Sequence, residues 1–365
     1  MMKTVLYIGG FEMPDKNAAA QRVLSIGKAL RECGYDVKFY GLTKDYDYDG
    51  IIDDFEYKAI SYPNSIWTWI SYAIGKNIIS YIEKENPDII ITYNYPAIAQ
   101  NKVIKFCHHK GIKVVGDITE WYKAHSLVKR VDTFLRMHFS NKRLDGIITI
   151  SSYLSNYYKK QYYIQIPPLV DKNEDKWRNA VKRPNDNKIH LVYMGTGSMK
   201  DRLDKIVKGI CTLDNNPFVF EIIGIDEEKF QDIYGKDIHI PNGVFFCGRL
   251  PHNEAIKHLQ ASDFQIFFRD NIRVNNAGFP TKFVESISAG IPVITNCISN
   301  ISDYVVNGEN SFMIEKASEE QIHLILKQIS SFNRNQINEI KSNLVVDQFD
   351  FHKYTKMISE FLKGL

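Results

Sequence analysis

Only five cysteines occur in 365 residues (Cys33, Cys107, Cys211, Cys247 and Cys297), and their odd number and scattered spacing exclude a disulfide framework and a paired-cysteine metal site. Reduced, cytoplasmic thiols are the expectation. The chain also lacks an apolar run approaching the ~18 residues of a membrane span. Its opening, MMKTVLYIGGFEM, has one lysine and a short apolar run, too little for a signal peptide, and reads as a first β-strand. An excess of one charge is missing too. Lys and Arg number 46 against 43 Asp and Glu, a net +3, so no strong field for nucleic acid follows. There is no fixed-period repeat and no low-complexity segment.

What is present is an ordinary globular composition, 44% hydrophobic and 24% charged, over a length that exceeds one hydrophobic core. Short β-branched runs alternate with helical patterns. Strands are expected at 4–8, 36–41, 88–93, 113–117 and 146–150, with helices at 18–33, 66–85 and 97–110. The pattern breaks at IPPLVDKNEDKWRNAVKRPNDNK (166–188), rich in Pro and charge. It restarts with strands at 190–195, 218–224, 244–248, 264–268, 292–295 and 311–314, helices at 200–213, 252–260 and 281–289, and closing helices near 318–343 and 351–363. Such alternation means parallel sheets covered on both faces. The expected organisation is an N-terminal Rossmann-like domain over 1–168, a linker over 169–188, a C-terminal Rossmann-like domain over 189–348, and a final helix (349–365) returning to the first domain. Ligands would enter a central cleft faced by the carboxyl ends of both sets of strands.

One acidic stretch, KDYDYDGIIDDFEY (44–57), places Asp45, Asp47, Asp49, Gly50, Ile52 and Glu56 on the positions of a calcium-binding EF-hand loop. The flanks argue against it, because a strand precedes Lys44 and no helix follows Glu56 closely. Asp47-Tyr48-Asp49 also has the form of a metal-holding Asp-x-Asp. A two-domain chain is the wrong setting for that motif, and a surface loop is the expectation.

The most informative stretch is NNAGFPTKFVESISAGIPVITN (275–296), a Gly/Pro-rich loop opening a helix that leads to a strand. The backbone N–H groups of Gly278, Phe279 and Thr281 stand where a helix start binds an anion, and Lys282 adds a full positive charge. Glu285, one turn inward, is placed to accept two ribose hydroxyls. Phosphate and ribose at one helix start suggest a nucleoside diphosphate.

The pattern G-F-P-x-K-x-x-E-x-x-x-x-G-x-P-V-I resembles the signature of retaining family 4 glycosyltransferases with the GT-B fold, the glycosyl transferases group 1. YMGTGSMKDRLDKIVKGI (193–210) resembles their donor-phosphate segment, and VFFCGRLPHNEAIKHLQASDFQIFF (244–268) their nucleotide-base segment, with Gly248, Arg249 and Leu250 at its turn. DITEWY (117–122) and DGIITISSYLSNYY (145–158) resemble polysaccharide-pathway members. The resemblance implies an α/β, GT-B enzyme moving a sugar from a nucleotide-diphosphate sugar to a glycan or lipid-linked glycan in surface polysaccharide assembly, with no metal or other cofactor. It puts Gly278, Phe279, Pro280, Thr281 and Lys282 on the diphosphate and Glu285 on the ribose. The Gly9–Gly10 loop would approach the donor phosphate. A diphosphate-binding lysine of the family falls on Arg202, counted from Gly195. Two positions depart from the family: Ala277 stands where a first glutamate is usual, and Thr196 where an arginine is usual. Lys200 or Lys282 then supplies the missing cation that the leaving diphosphate requires.

Asp117 and Glu120 end a strand of the first domain and are the candidates for contacting the acceptor hydroxyl, with Arg22 a candidate for an acceptor phosphate. The segment 121–143 carries six Lys/Arg against one Asp among apolar residues, as a helix lying on an anionic membrane leaflet would. A cytoplasmic protein, peripheral on the inner face of the plasma membrane, is expected. GTGSMK (195–200) resembles a dinucleotide loop but lacks its third glycine. Rival readings are another GT-B nucleotide-sugar enzyme such as a 2-epimerase, or a non-catalytic sugar-nucleotide or partner-binding module.

Overall fold

The computed structural model describes every residue except Met1, Asp15, Lys16, Tyr46, Ala124, His125, Asn179, Ala180 and Asn215, so parts of the acidic stretch, the basic segment and the expected linker lie outside the described residues. Two compact units emerge. The first comprises Met1–Asp171, Ala277–Phe279 and Asp350–Leu365, and the second Lys172–Asn276 and Pro280–Phe349.

The first unit runs β1 (Lys3–Gly9), α1 (Ala18–Glu32), β2 (Tyr35–Thr43), β3 (Tyr48–Ile52), β4 (Phe55–Ser61), α2 (Ile66–Ala73), α3 (Ile78–Glu85), β5 (Ile89–Tyr93), α4 (Ala97–Lys110), β6 (Lys113–Ile118), α5 (Leu127–Leu135), β7 (Gly146–Thr149), α6 (Ser152–Tyr157) and β8 (Tyr163–Gln165). Its eight strands lie in the order β3-β4-β2-β1-β5-β6-β7-β8. All pairs are parallel except β3–β4. Helices connect the parallel strands because such a strand needs a long crossover to return. Local chemistry marks their ends: Asn17 caps α1 by accepting from the Ala20 N–H at 2.8 Å, and Gly34 (φ +84°) terminates it. Buried Val5, Tyr7, Phe39 and Ile91 form the core with Phe351, Ile358, Phe361 and Leu362 from the far end of the chain.

Two expectations are corrected. The acidic stretch is a β-hairpin, not a loop: Asp53 and Asp54 (φ 52° and 63°) make a two-residue turn between β3 and β4. Asp49 pairs with Lys58 at 3.1 Å and Asp47 accepts from the Ser61 hydroxyl at 2.7 Å. The single helix expected over 66–85 is two, interrupted where Gly75 and Asn77 both adopt φ of +66°.

The second unit runs α7 (Asp175–Arg178), β9 (Ile189–Met194), α8 (Leu203–Cys211), β10 (Phe218–Ile223), α9 (Glu227–Tyr234), β11 (Val244–Gly248), α10 (His252–Gln260), β12 (Phe264–Ile266), α11 (Arg273–Ala277), α12 (Thr281–Ser288), β13 (Val293–Asn296), β14 (Phe312–Ile314), α13 (Glu319–Ser330) and α14 (Arg334–Ser342). Its sheet is ordered β11-β10-β9-β12-β13-β14 and is parallel throughout. The chain ends in α15 (Thr355–Lys363), which packs on α1 and β8 of the first unit.

In each sheet the strand order reverses beside a central strand: between β1 and β5 in the first unit, and between β9 and β12 in the second. Loops leaving the carboxyl ends there diverge and leave a crevice, the usual ligand position in open α/β sheets.

Candidate active site

At the second unit's reversal point four polar groups converge. Asp201, only 4% exposed, accepts from Lys282 Nζ at 2.7 Å, Arg269 Nε at 2.7 Å and the Tyr193 hydroxyl at 2.6 Å. The Lys282 ammonium lies 4.0 Å from the centre of the Tyr193 ring, and a Cβ on Gly195 would stand 2.8 Å from it. Lys282 therefore reaches the strand-end turn where a phosphate would approach closely. Burial lowers the Lys282 pKa to about 8, against the opposing pull of Asp201. Burial would raise the Asp201 carboxyl, but Lys282 and Arg269 outweigh it and hold it well below the usual carboxylate range.

Glu285 sits one turn further along α12, mostly buried, with a 2.9 Å hydrogen bond between its Oε1 and His252 Nε2. The imidazole fixes one carboxylate oxygen. Thr281 opens α12 after Pro280, which offers no side-chain cap. The loop residues before it divide: Gly278 and Phe279 group with the first unit, Pro280 and Thr281 with the second. Thr196 and Arg249 are exposed, while Gly248 and Leu250 are half-buried.

Arg202, expected on the diphosphate, follows Asp201 directly and itself pairs with two carboxylates. Its guanidinium is compensated by Asp204 at 3.1 Å and Asp270 at 3.2 Å. The second cation beside Lys282 is Arg269, which sequence reasoning missed along with Asp201 and His252. Asp201 and Arg269 lie 68 positions apart, and no local pattern links them.

In the first unit Asp117 and Arg22, expected as acceptor contacts, are paired with each other. Asp117 is fully buried and receives Arg22 Nη2 at 2.8 Å, Arg22 Nε at 3.0 Å and the Tyr7 hydroxyl at 2.5 Å. Arg22 spends its remaining donor group on the carbonyls of Ile166 (2.9 Å) and Pro167 (3.1 Å). Both side chains are thus engaged by one another, by the Tyr7 hydroxyl and by the backbone. Glu120 remains half-exposed past the end of β6. Gly9 permits the close approach of β1 and β5, since a Cβ there would lie 2.6 Å from the Tyr93 Cβ.

Gly10 instead lines a cavity of about 400 Å³ at the β1/β5 reversal point, walled by Trp69, Tyr72, Tyr93 and Tyr122 and by Lys123, Lys129, Asp132 and Arg136. The helical segment bearing the last three, α5 and the π-helical turn Arg136–Ser140 that continues it, is turned inside out. Its polar Asp132 and Arg136 face the cavity, while Leu127, Val128, Val131, Phe134 and Leu135 are exposed. On a surface helix the usual arrangement is the reverse.

Comparison with known proteins gives this geometry a family. The model for glycosyl transferases group 1 matches residues 173–345. That stretch belongs to the glycosyl transferases group 1. The second unit thus carries a glycosyl transferases group 1 domain, and both units are Rossmann-like, as in the GT-B fold. An uncharacterized glycosyltransferase of Methanocaldococcus jannaschii is 21% identical over 242 residues, which span 61% of this chain and 59% of that relative. Two solved structures share the fold at low identity. Sucrose-phosphate synthase from Thermosynechococcus elongatus superposes with a TM-score of 0.74 at 12% identity, covering 99% of this chain and 98% of that one. HepE of Anabaena, solved in complex with UDP-glucose, has a TM-score of 0.72 at 14% identity, covering 99% and 100%. Among the described residues no helix is long and apolar enough to cross a membrane.

Proposed function

We propose that this glycosyltransferase moves a sugar from a nucleotide-diphosphate sugar onto a glycan or lipid-linked glycan in surface polysaccharide assembly, retaining the anomeric configuration and requiring no metal. The observation that carries the reading is the buried Lys282–Asp201–Arg269 cluster at the mouth of β9, one helical turn from Glu285. Two cations fixed by a buried carboxylate are preorganised for the charge that builds on a departing nucleoside diphosphate. Glu285 has an oxygen left over from His252 for the ribose. The nucleotide sugar in the HepE complex supports the donor class, and the likeness of 117–122 and 145–158 to polysaccharide-pathway members supports the acceptor class. Melting curves with UDP, GDP, ADP and dTDP in EDTA test this: one nucleotide is expected to raise the melting temperature. No shift with any of them sinks the donor site, and a shift only with magnesium sinks metal independence.

The lowered Lys282 pKa gives binding a pH signature. In the free protein this lysine loses its proton as pH rises through about 8. A bound diphosphate favours the charged form and raises that value again. Affinity therefore falls above about pH 8, and binding near pH 8.5 takes up a proton. Calorimetry in buffers of unequal ionisation enthalpy reads the uptake directly. Lys282→Arg, which stays charged, is expected to abolish it, and uptake persisting in that variant removes Lys282 from the diphosphate.

The outward apolar face of α5, with the exposed Arg130 beside it, is proposed to lie on an anionic bilayer at the inner face of the plasma membrane. Co-sedimentation with vesicles containing phosphatidylglycerol is expected, and is expected to be lost in the Leu127→Ser, Val131→Ser, Phe134→Ser triple variant. Equal sedimentation of that variant and the wild type eliminates this face as the contact.

A further inference from the structure

The aromatic cavity of the first unit is not occupied by the chemistry that assigned Asp117 and Arg22 to the acceptor. Its own cations have a different character. Arg136, 3% exposed, donates through Nη1 to the Asn94 carbonyl at 2.7 Å. Its Nε and Nη2, the side-on edge of the guanidinium, are buried and have no hydrogen-bond partner among the described residues. A buried guanidinium with half its donors unmet is costly unless something else meets them. The side-on edge is the one that engages two oxygens of a phosphate or carboxylate at once. The Tyr122 ring lies 4.9 Å from that guanidinium.

Lys123 and Lys129 line the same cavity. The Lys129 ammonium stands 6.0 Å from the centre of the Trp69 ring, which bridges α5 to α2. Among the described residues of the lining, one carboxylate, Asp132, stands against these three cations. It is committed to the start of α4, accepting from the Ala97 N–H at 2.8 Å, and burial raises its pKa. The lining therefore carries a positive excess. The cavity also sits where the first sheet's strand order reverses, with Gly10 and Asn94 at the ends of β1 and β5.

We infer that this cavity binds a phosphate ester: the Arg136 side-on edge, Lys123 and Lys129 hold the phosphate, and the Tyr and Trp walls pack the group it is attached to. On the function proposed above, this makes the acceptor a phosphate-bearing molecule. The phosphate could be carried by a lipid or by a soluble sugar, and both present the same oxygens to Arg136.

Calorimetric titration of the full-length protein with octyl phosphate below its micelle concentration, glucose 6-phosphate, inorganic phosphate and octyl glucoside tests the assignment. At least one phosphate ester is expected to bind more tightly than both inorganic phosphate and the neutral glucoside. Preference for octyl phosphate identifies a lipid source, and preference for glucose 6-phosphate a soluble one. The Lys123→Gln, Lys129→Gln double variant and Arg136→Lys are each expected to weaken that ester about tenfold or more, the scale of one charge-assisted hydrogen bond. Arg136→Lys keeps the charge and can still reach Asn94 but loses the two-pronged edge. The inference is overturned if neither ester binds better than the glucoside, or if both variants bind like wild type. Nucleotide melting shifts on the same samples separate the outcomes. Ester binding without any nucleotide shift keeps the anion site and discards the donor reading, whereas a nucleotide shift without ester binding does the opposite.

Discussion

Asp117→Ala is expected to cost about 3–5 kcal/mol of stability, roughly a 10 °C loss in melting temperature for a unit of this size, while leaving the nucleotide-induced shift intact. The carboxylate looks catalytic on paper, at a strand end in a stretch that resembles sugar-transferring enzymes. In the fold it is the counter-charge of Arg22. Removing it strands a fully buried guanidinium and the Tyr7 hydroxyl, which donates to it at 2.5 Å. Burial and the neighbouring Asp117 carboxylate both raise the Tyr7 pKa, so the phenol stays neutral and is left as an unpaired donor. Thermal unfolding with and without nucleotide checks the claim. A variant with wild-type melting behaviour but no transfer activity returns Asp117 to the chemistry.

Glu285→Ala is expected to do the converse. The side chain supports little of the core, and its His252 partner lies at the first residue of α10, where it is still partly exposed. Stability should change by about 1 kcal/mol. Nucleoside diphosphate affinity should fall about a hundredfold, the loss of two hydrogen bonds to a carboxylate. Glu285→Gln, which keeps the shape and one acceptor, should fall between. Direct titration of the nucleotide measures this, and equal affinities across the three proteins would remove Glu285 from the ribose.

The contrast between these two carboxylates marks how far the sequence could be read. The parallel α/β architecture was legible because apolar strands such as Ile89–Tyr93 are short, continuous and bounded by helical patterns. The hairpin at β3–β4 was not, because its alternation is carried by Tyr, Asp and Gly and half of it faces solvent. The break between α2 and α3 was hidden for a related reason: apolar periodicity continues across Gly75 and Asn77, and only the backbone dihedrals reveal the turn. In the donor region Lys282 and Glu285 share one helix, so their spacing shows their common face. Asp201 lies between Lys200 and Arg202, where a charge reads as solvated, and only the fold brings Arg269 and Lys282 to it. Arg22 and Asp117, 95 residues apart, satisfy each other across the first sheet, which no local pattern announces.

The first unit borrows its last core layer from residues 350–365, which are translated after the whole of the second unit. Phe351, Ile358, Phe361 and Leu362 belong to the same apolar cluster as Val5 and Tyr7. A ribosome therefore releases the second unit's segment complete before the first can close its core, inverting the usual order in which the N-terminal domain matures first. Until then the partly built sheet exposes the surface those four side chains will cover.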